Sequence, residues 1–221
     1  MQPIKLTFVI LEQAFSTERL YKYDAWAGGD RAVALQLYGL NLAISEAFYT
    51  SLHMLEVTLR NAVQDRMTGL HGPLWFQNPA IIHDVTQQRN VASAVQKLGA
   101  AATPSQIVAE VTFGFWTGMF DHKNNALWGP CLRPIFQSGT PLQRKTVAKP
   151  LYEIRSLRNR IAHHESIIQL DLPHVHVELC QILGWLSTEA LVWSNQHCRF
   201  QAVHPQTPII IGNLMNPALV L

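Results

Sequence analysis

The chain has 221 residues, of which 48% are apolar and only 14% are charged, whereas an average soluble domain carries about 25% charged residues. This composition excludes a highly charged disordered chain, and a net charge of +2 excludes a strongly basic nucleic-acid coat. The length fits one large domain or two small ones. A chain of this size buries roughly 70% of its unfolded surface, so its core needs neither a disulfide nor a metal.

Cysteine usage and hydropathy favour a cytoplasmic protein without membrane contact. The three cysteines are far apart and form no CxxC pair, which predicts free thiols in a reducing compartment. The apolar run at residues 6–11 ends at Glu12 without a small-residue cleavage site, so it is not a convincing signal peptide. No stretch approaches the roughly 20 apolar residues of a membrane-spanning helix.

Apolar residues in the first half of the chain recur at the period of an α-helix. Residues 31–50 and 48–67 each predict a helix, and the two form one long element or two, ending near Gly69 to Pro73. Asp84 is a predicted N-cap for a helix that reaches Leu98. Thr103 and Pro104 mark the next start, and the apolar, aromatic segment 107–120 predicts a buried core helix.

The second half predicts three further helices and a tail. Asn124 and Asn125 should interrupt the helical pattern before a short helix at 126–136, which Pro130 and Pro134 would kink. Thr140 and Pro141 should open a long helix that reaches about Glu165, kinked or split at Pro150. A last helix should run from about residue 172 to 193. The sequence therefore predicts one all-α domain at residues 1–200 and an irregular tail at 201–221, either a strand-like arm or disordered.

Positive charge is concentrated in one part of the chain. Residues 133–164 carry seven Lys or Arg against one Glu, a net of +6, which leaves −4 for the rest. This concentration favours a single anionic site, although a solvated helix face is the alternative. Helical spacing also places Arg158 on the same stripe as the apolar Val147, Leu151, Ile154 and Ile161. Because an unpaired buried charge is costly, Arg158 must meet a carboxylate, reach a subunit interface or line a wet cleft.

Three sequence blocks carry a family resemblance. Residues 155–165 read RSLRNRIAHHE, in which Arg158, four residues and then His163 match the Arg-x4–6-His signature of the HEPN superfamily, with the polar Asn159 directly after the arginine. Residues 52–62 (LHMLEVTLRNA) come earlier, followed by TFGFW at 112–116 with LW at 127–128. In order and spacing, over about residues 15–195, these blocks resemble the Abi-like (abortive infection) family of that superfamily.

The resemblance implies a HEPN-like helical bundle with extra helices, usually a homodimer that needs no cofactor. Many HEPN proteins are metal-independent endoribonucleases of phage defence or toxin–antitoxin systems, partnered by an antitoxin or a phage-derived trigger. Others have lost catalysis and only bind RNA or proteins. We therefore expect RNA as the partner, with either cleavage or binding alone as the outcome.

The motif residues suit RNA cleavage. The pKa of an unperturbed histidine is near 6.5, so His163 can accept and return a proton at neutral pH, and His164 is the alternative base. Arg158 can hold a phosphate and stabilise the charge of the transition state, while Asn159 positions one of the two. RNA supplies its own nucleophile, the 2′-OH. Further RNA contacts are predicted at Lys149, Arg155 and Arg160.

Two geometric questions follow from the spacing. Arg158 and His163 are five residues apart and diverge by about 140° on a regular helix, so either the helix distorts near Ala162 or two copies of the motif converge across a two-fold interface. A second group, His53, Glu56 and Arg60, lies beside the apolar stripe of its own helix. Glu56 can pair with Arg158, pair locally with Arg60, or orient a catalytic histidine.

The pair His174 and His176 lacks an evident third ligand, which predicts structural or surface histidines and no metal site.

Overall fold

One helix of 41 residues, α3 (Arg31–His71), organises the fold. The computed structural model describes residues 8–205. At the start of α3 the Asp30 carboxylate accepts hydrogen bonds from the Ala32 and Val33 N–H groups, and the helix ends at Gly72, whose φ of +83° lies in the left-handed region. The predicted helices at 31–50 and 48–67 are therefore one continuous element.

The other helices are shorter and surround α3. They are α1 (Phe8–Phe15), α2 (Thr17–Trp26), α4 (Val85–Leu98), α5 (Pro104–Glu110), α6 (Phe113–Gly118), α7 (Asn125–Leu127), α8 (Arg144–Ala162), α9 (Leu172–Leu186), α10 (Thr188–His197) and α11 (Phe200–Val203). Helices α2, α6, α8, α9, α10 and α11 all contact α3. Since residues 8–205 contain helices and turns but no strand, the all-α prediction is confirmed for the described chain.

The core forms where the apolar stripe of α3 meets these neighbours. Its buried side chains recur at three- and four-residue steps, as a helix facing a core requires: Ile44, Phe48, Leu52, Leu55, Leu59, Val63 and Met67. The aromatic residues of α6 complete the core, with Phe113, Phe115 and Trp116 almost fully buried. Within residues 8–205, no helix combines the length and apolarity that crossing a bilayer requires.

The prediction of one helix over residues 107–120 is wrong, because the chain is extended at Val111 and Thr112. Both residues are β-branched, which lowers their helix propensity. The Thr112 N–H donates to the Asn90 side chain at 3.0 Å, so a side chain of α4 replaces the carbonyl that a continuous helix would offer. The capping box at Thr103 and Gln106 that starts α5 confirms the predicted start.

The segment after α6 consists of short turns, and the single helix predicted at 126–136 is wrong. Helix α7 is followed by a π-helical turn at Trp128–Leu132 and a 3₁₀ turn at Arg133–Ile135. Pro130 and Pro134 have no N–H to donate, which disfavours a regular ladder here. Asn124 and Asn125 do not interrupt the helical turns either, since they join a 3₁₀ turn to α7.

Helix α8 is shorter than predicted at both ends but is continuous through Pro150. It begins at Arg144, four residues after Thr140. It ends at Ala162, because His164 has a φ of +57° and the Glu165 N–H turns back to the Arg160 carbonyl at 2.8 Å, the closed end typical of a left-handed C-terminal turn. Glu165, the predicted end of this helix, therefore lies beyond it.

The last predicted helix, 172–193, is divided at Ser187, whose backbone is extended. Its hydroxyl accepts the Ala190 N–H at 3.1 Å and so caps α10. Helix α11 runs to Val203, past the predicted domain boundary at residue 200. The predicted tail from 206 onward, including the apolar triplet at 209–211, lies outside the described residues.

Candidate functional site

A cleft of about 360 Å³ separates α3 from the last turns of α8. We call it the α3–α8 cleft. Its lining residues come from both helices: Tyr49, Leu52, His53, Glu56, Val57 and Arg60 from α3, with Arg158, Ile161 and Ala162 from α8. The apolar stripes of the two helices pack below it, so residues at the edge of each stripe point into the opening. The cleft therefore unites Arg158 with the group His53, Glu56 and Arg60.

Arg158 faces Glu56 across this cleft, with 3.6 Å between Nε and Oε2. The arginine side chain is 40% exposed and the glutamate side chain 28%. Two of the three outcomes expected for an arginine on an apolar stripe are found together, because Arg158 lies in an open cleft and meets a carboxylate there. Because both side chains are partly exposed, this contact is not a buried structural ion pair.

Glu56 pairs with Arg158 rather than with Arg60. Among the described residues no ion pair joins Glu56 to Arg60, and the Arg60 Nε donates instead to the Asn61 side chain at 3.2 Å. The local pair within α3 is therefore not formed. Arg60 keeps its full charge because its partner is a neutral amide.

His53 is the histidine that lines the same cleft as Arg158. It is exposed, and its ring stacks on Tyr49 one turn earlier, with 6.2 Å between the ring centroids and 12° between the planes. Two guanidinium groups, one carboxylate and one imidazole thus share one opening. Such a set can hold a phosphate and move a proton beside it.

His163 and His164 lie in a different cleft, of about 320 Å³, at the C-terminal end of α8. Arg19 of α2 fixes this end by donating to the His164 carbonyl at 2.6 Å. Both histidines are exposed, as is Asn159 in the last turn of α8, whose carbonyl accepts the His163 N–H at 2.9 Å. The end of the helix near Ala162 does not bring His163 into the cleft that Arg158 lines. Within one chain, these two motif residues therefore lie in different clefts.

The predicted RNA contacts also divide between two places. Lys149 and Arg155 line a groove of about 370 Å³ along the outer face of α8, which we call the α8 basic groove. Arg160 is instead 3.6 Å from Glu165 and donates to the Ser166 carbonyl at 3.4 Å. Arg160 therefore stabilises the turn after α8 and does not line the groove. The other two cations of the groove are Arg144 and Lys145.

A group that sequence spacing missed surrounds His174. Its ligand atoms and those of Glu153 and Glu178 all lie within 4.8 Å of one another, as in sites able to hold a metal ion. Burial raises the pKa of Glu178. His176 is not part of this group, so the potential ligands are one histidine and two carboxylates rather than a histidine pair. Glu178 follows His174 by four residues and was visible in the sequence, but Glu153 comes from α8.

His176 has a different role from His174. It packs against Phe48 and Phe200, with ring centroids 5.9 and 4.6 Å away, and burial lowers its pKa. Burial also raises the pKa of the neighbouring Cys180 thiol to about 11. All three cysteines are free, as predicted, although Cys180 and Cys198 are only half-buried.

No family model, no curated protein and no solved structure matches this chain. The resemblance to Abi-like proteins therefore rests on the motif residues alone, and the α3–α8 cleft is the feature from which a function can be inferred.

Proposed function

We propose that this chain is a metal-independent endoribonuclease of the HEPN type. The observation that carries the proposal is the convergence of Arg158, Arg60 and His53 in the α3–α8 cleft, with Glu56 beside Arg158. Two cations beside an imidazole suit a phosphodiester that carries its own nucleophile. RNA fits this description and DNA does not, since only RNA has a 2′-OH.

The proposed reaction needs one phosphate site and one proton carrier. The 2′-oxygen attacks the adjacent phosphorus while its proton passes to an imidazole, and the bond from phosphorus to the 5′-oxygen breaks. The imidazolium then returns this proton to the leaving 5′-oxygen, which leaves a 2′,3′-cyclic phosphate and a 5′-OH. Arg158 and Arg60 offset the charge that develops on the phosphate oxygens. Glu56 holds Arg158 in place until an RNA phosphate replaces Glu56 as the partner of the guanidinium.

Two histidines are candidates for the proton carrier. His53 is in the same cleft, whereas the motif histidine, His163, lies in the neighbouring one. We infer that His163 transfers the proton of an RNA whose phosphate is held by Arg158 of a second copy in a homodimer, as the resemblance implies. Asn159 positions the phosphate or the imidazole. His164 is the alternative at the same helix end.

Cleavage of single-stranded RNA in excess EDTA tests this proposal. We expect Arg158→Ala and His163→Ala each to abolish cleavage, while His83→Ala, an exposed histidine before α4, leaves the rate unchanged. Mixing the two inactive variants should restore part of the activity if the site is composed of two copies. Cleavage that requires metal, or that persists in both variants, would contradict the proposal.

The His53→Ala variant separates the two proton carriers. If His53 rather than His163 transfers the proton, His53→Ala abolishes cleavage and His163→Ala does not. In that case the mixture of Arg158→Ala and His163→Ala gains nothing over the His163→Ala protein alone, and the site belongs to one chain.

A second candidate function is RNA binding without cleavage. The separation of Arg158 from His163 within one chain favours it, because an inactive module has no need to align the two. Binding of RNA with no cyclic-phosphate product would support it. In either case we propose a cytoplasmic role in phage defence or a toxin–antitoxin system, controlled by an antitoxin or a phage-derived trigger, because the resemblance implies it.

A further inference from the structure

The α8 basic groove is separate from the α3–α8 cleft. Its volume is about 370 Å³, and its lining comes from α8 on one side and from the end of α6 with the following turn on the other: Arg144, Lys145, Ala148, Lys149, Tyr152 and Arg155, then Thr117, Gly118, Asp121 and His122. It has no lining residue in common with the cleft. Tyr152 and Arg158 are six residues apart, which places them about 120° apart around α8.

Four cations and one carboxylate, Asp121, line this groove, so its net charge is positive. Among the described residues, Arg144, Lys145 and Arg155 form no ion pair, while Lys149 has only the long contact of 3.8 Å to Glu153. Arg144 donates to the Phe120 carbonyl at 2.7 Å and to the Asn125 side chain at 3.1 Å. Both acceptors are neutral, so they fix the guanidinium without cancelling its charge.

The wall opposite α8 is held by a buried amide network. The Gln87 side chain of α4 donates to the Phe115 carbonyl at 3.0 Å and accepts from the Asn124 side chain at 3.1 Å. Asn124 also donates to the Gly118 carbonyl at 2.8 Å. Because Gln87 and Asn124 are both buried, these bonds keep the wall in place before any ligand arrives.

An exposed aromatic ring stands among the cations. Tyr152 is 63% exposed, and the Arg155 guanidinium lies 5.3 Å from its ring centroid. A row of cations selects phosphates, and an exposed ring selects an unstacked base. Double-stranded nucleic acid offers the phosphates but not the faces of its bases, so the combination favours a single strand.

We propose that the α8 basic groove is a binding site for single-stranded RNA, in which Arg144, Lys145, Lys149 and Arg155 contact the backbone and Tyr152 stacks on a base. The choice of RNA rests on the proposed function, whereas binding itself requires no cleavage. Since α8 carries both the groove and Arg158, a strand held in the groove lies along the helix that supplies the proposed phosphate ligand.

Binding is measured with a fluorescent single-stranded oligonucleotide whose riboses are 2′-O-methylated. Such a strand lacks the attacking hydroxyl, so its affinity is independent of any cleavage. We expect Tyr152→Ala to weaken binding roughly tenfold. Tyr21→Ala is the matched control, because Tyr21 is similarly exposed on α2 and lies outside the groove, and its affinity should stay unchanged.

A charge variant tests the phosphate contacts. Lys145→Gln should weaken binding several-fold and lower the slope of log affinity against log salt by about 0.7, the loss of one phosphate contact on a single strand. Lys97→Gln, which removes an equal charge from α4, should change neither quantity. Both lysines are exposed, so neither substitution should disturb the fold, and circular dichroism verifies that both variants keep their helical content.

Any of four results would overturn the inference. Three concern the single strand: the absence of binding at low salt, equal weakening by Lys97→Gln and Lys145→Gln, and equal affinity of wild-type and Tyr152→Ala. The fourth is tighter binding of a duplex of the same length. If RNA with free 2′-OH groups is bound in the groove but never cut, the endoribonuclease proposal fails and this one stands.

Discussion

Arg158 is held in place by a weak contact, which suits a residue that must exchange partners. An ion pair at 3.6 Å between groups that are 40% and 28% exposed contributes about 0–1 kcal/mol to the free energy of unfolding, because water competes for both groups. A phosphate can therefore displace Glu56 at small cost. A structural arginine in the same position would be buried and hydrogen-bonded on most of its N–H groups.

Substitution of Arg158 should separate stability from function. We expect Arg158→Met, which keeps the apolar stem, and Glu56→Gln each to lower the free energy of unfolding by less than about 1 kcal/mol in urea titrations. Arg158→Met should nevertheless abolish RNA cleavage. A loss of several kcal/mol in either variant, with strong coupling in the double mutant, would instead identify a structural ion pair.

The residues of the cleft were only partly predictable. The 3.6-residue period places Arg158 beside Ile154 and Ile161, and places His53, Glu56 and Arg60 on one side of their own helix. Their convergence depends on how α3 and α8 are rotated against each other, which neither helix encodes alone. For the same reason Glu153 was not expected beside His174.

Glu178 carries a pH dependence whose sign follows from its burial. Its pKa is raised above the ordinary value of 4.5, so the folded state prefers the protonated form. The stability that this preference provides is complete below pH 4.5 and is lost as the pH rises through the folded pKa. Glu178→Gln should therefore exceed the wild type in free energy of unfolding at pH 7, by a few tenths of a kcal/mol up to about 1 kcal/mol, but not at pH 4.

Thermal melts of both proteins at the two pH values check this expectation. Glu46→Gln is the control, because Glu46 is an exposed carboxyl on α3 and should show no such gain at pH 7. A Glu178→Gln difference that is the same at pH 4 and pH 7 would mean that ionisation of this carboxyl does not matter for stability.

At the scale of elements, the helix starts were more predictable than the helix lengths. Asp84 and Thr103 cap α4 and α5 as expected, because a cap depends on a few adjacent residues. The break between α5 and α6 depends on Asn90, and the division of α9 from α10 depends on Ser187 serving as a cap. Sequence periodicity extends across both places, but a tertiary hydrogen bond from Asn90 decides the first break and the local cap at Ser187 decides the second.

Two glycines of α3 should respond in opposite ways to alanine. Gly39 is inside the helix, and an added Cβ meets no atom within 4 Å, so Gly39→Ala should raise the free energy of unfolding by about 0.5–1 kcal/mol. Gly72 ends the helix with a φ of +83°, which costs an alanine about 1 kcal/mol. Urea titrations of the two variants measure the difference, and a gain in both would contradict the assigned helix end.

At the scale of the whole molecule, α3 joins the two ends of the described chain. Its N-terminal half packs on α2, while α9, α10 and α11 pack on it from the other end of the sequence. Polar contacts fix this arrangement: the Ser194 hydroxyl of α10 donates to Ser51 of α3 at 3.4 Å. The Asn41 side chain of α3 accepts the Ile167 N–H at 2.8 Å, in the loop between α8 and α9.

Asn41 is therefore the residue whose loss should weaken the fold as a whole. It is 3% exposed, and Asn41→Ala leaves the buried Ile167 N–H without its partner, which costs about 1–3 kcal/mol. Since one core joins the helices, helical circular dichroism and tryptophan fluorescence, to which the buried Trp75 and Trp116 contribute, should report one common transition at a lower urea concentration. Ser45→Ala, which removes only a local bond to the Asn41 carbonyl, should shift this transition less. Separate transitions for the two signals would contradict a single core, because they would mean that the helices around α3 unfold independently of the aromatic cluster.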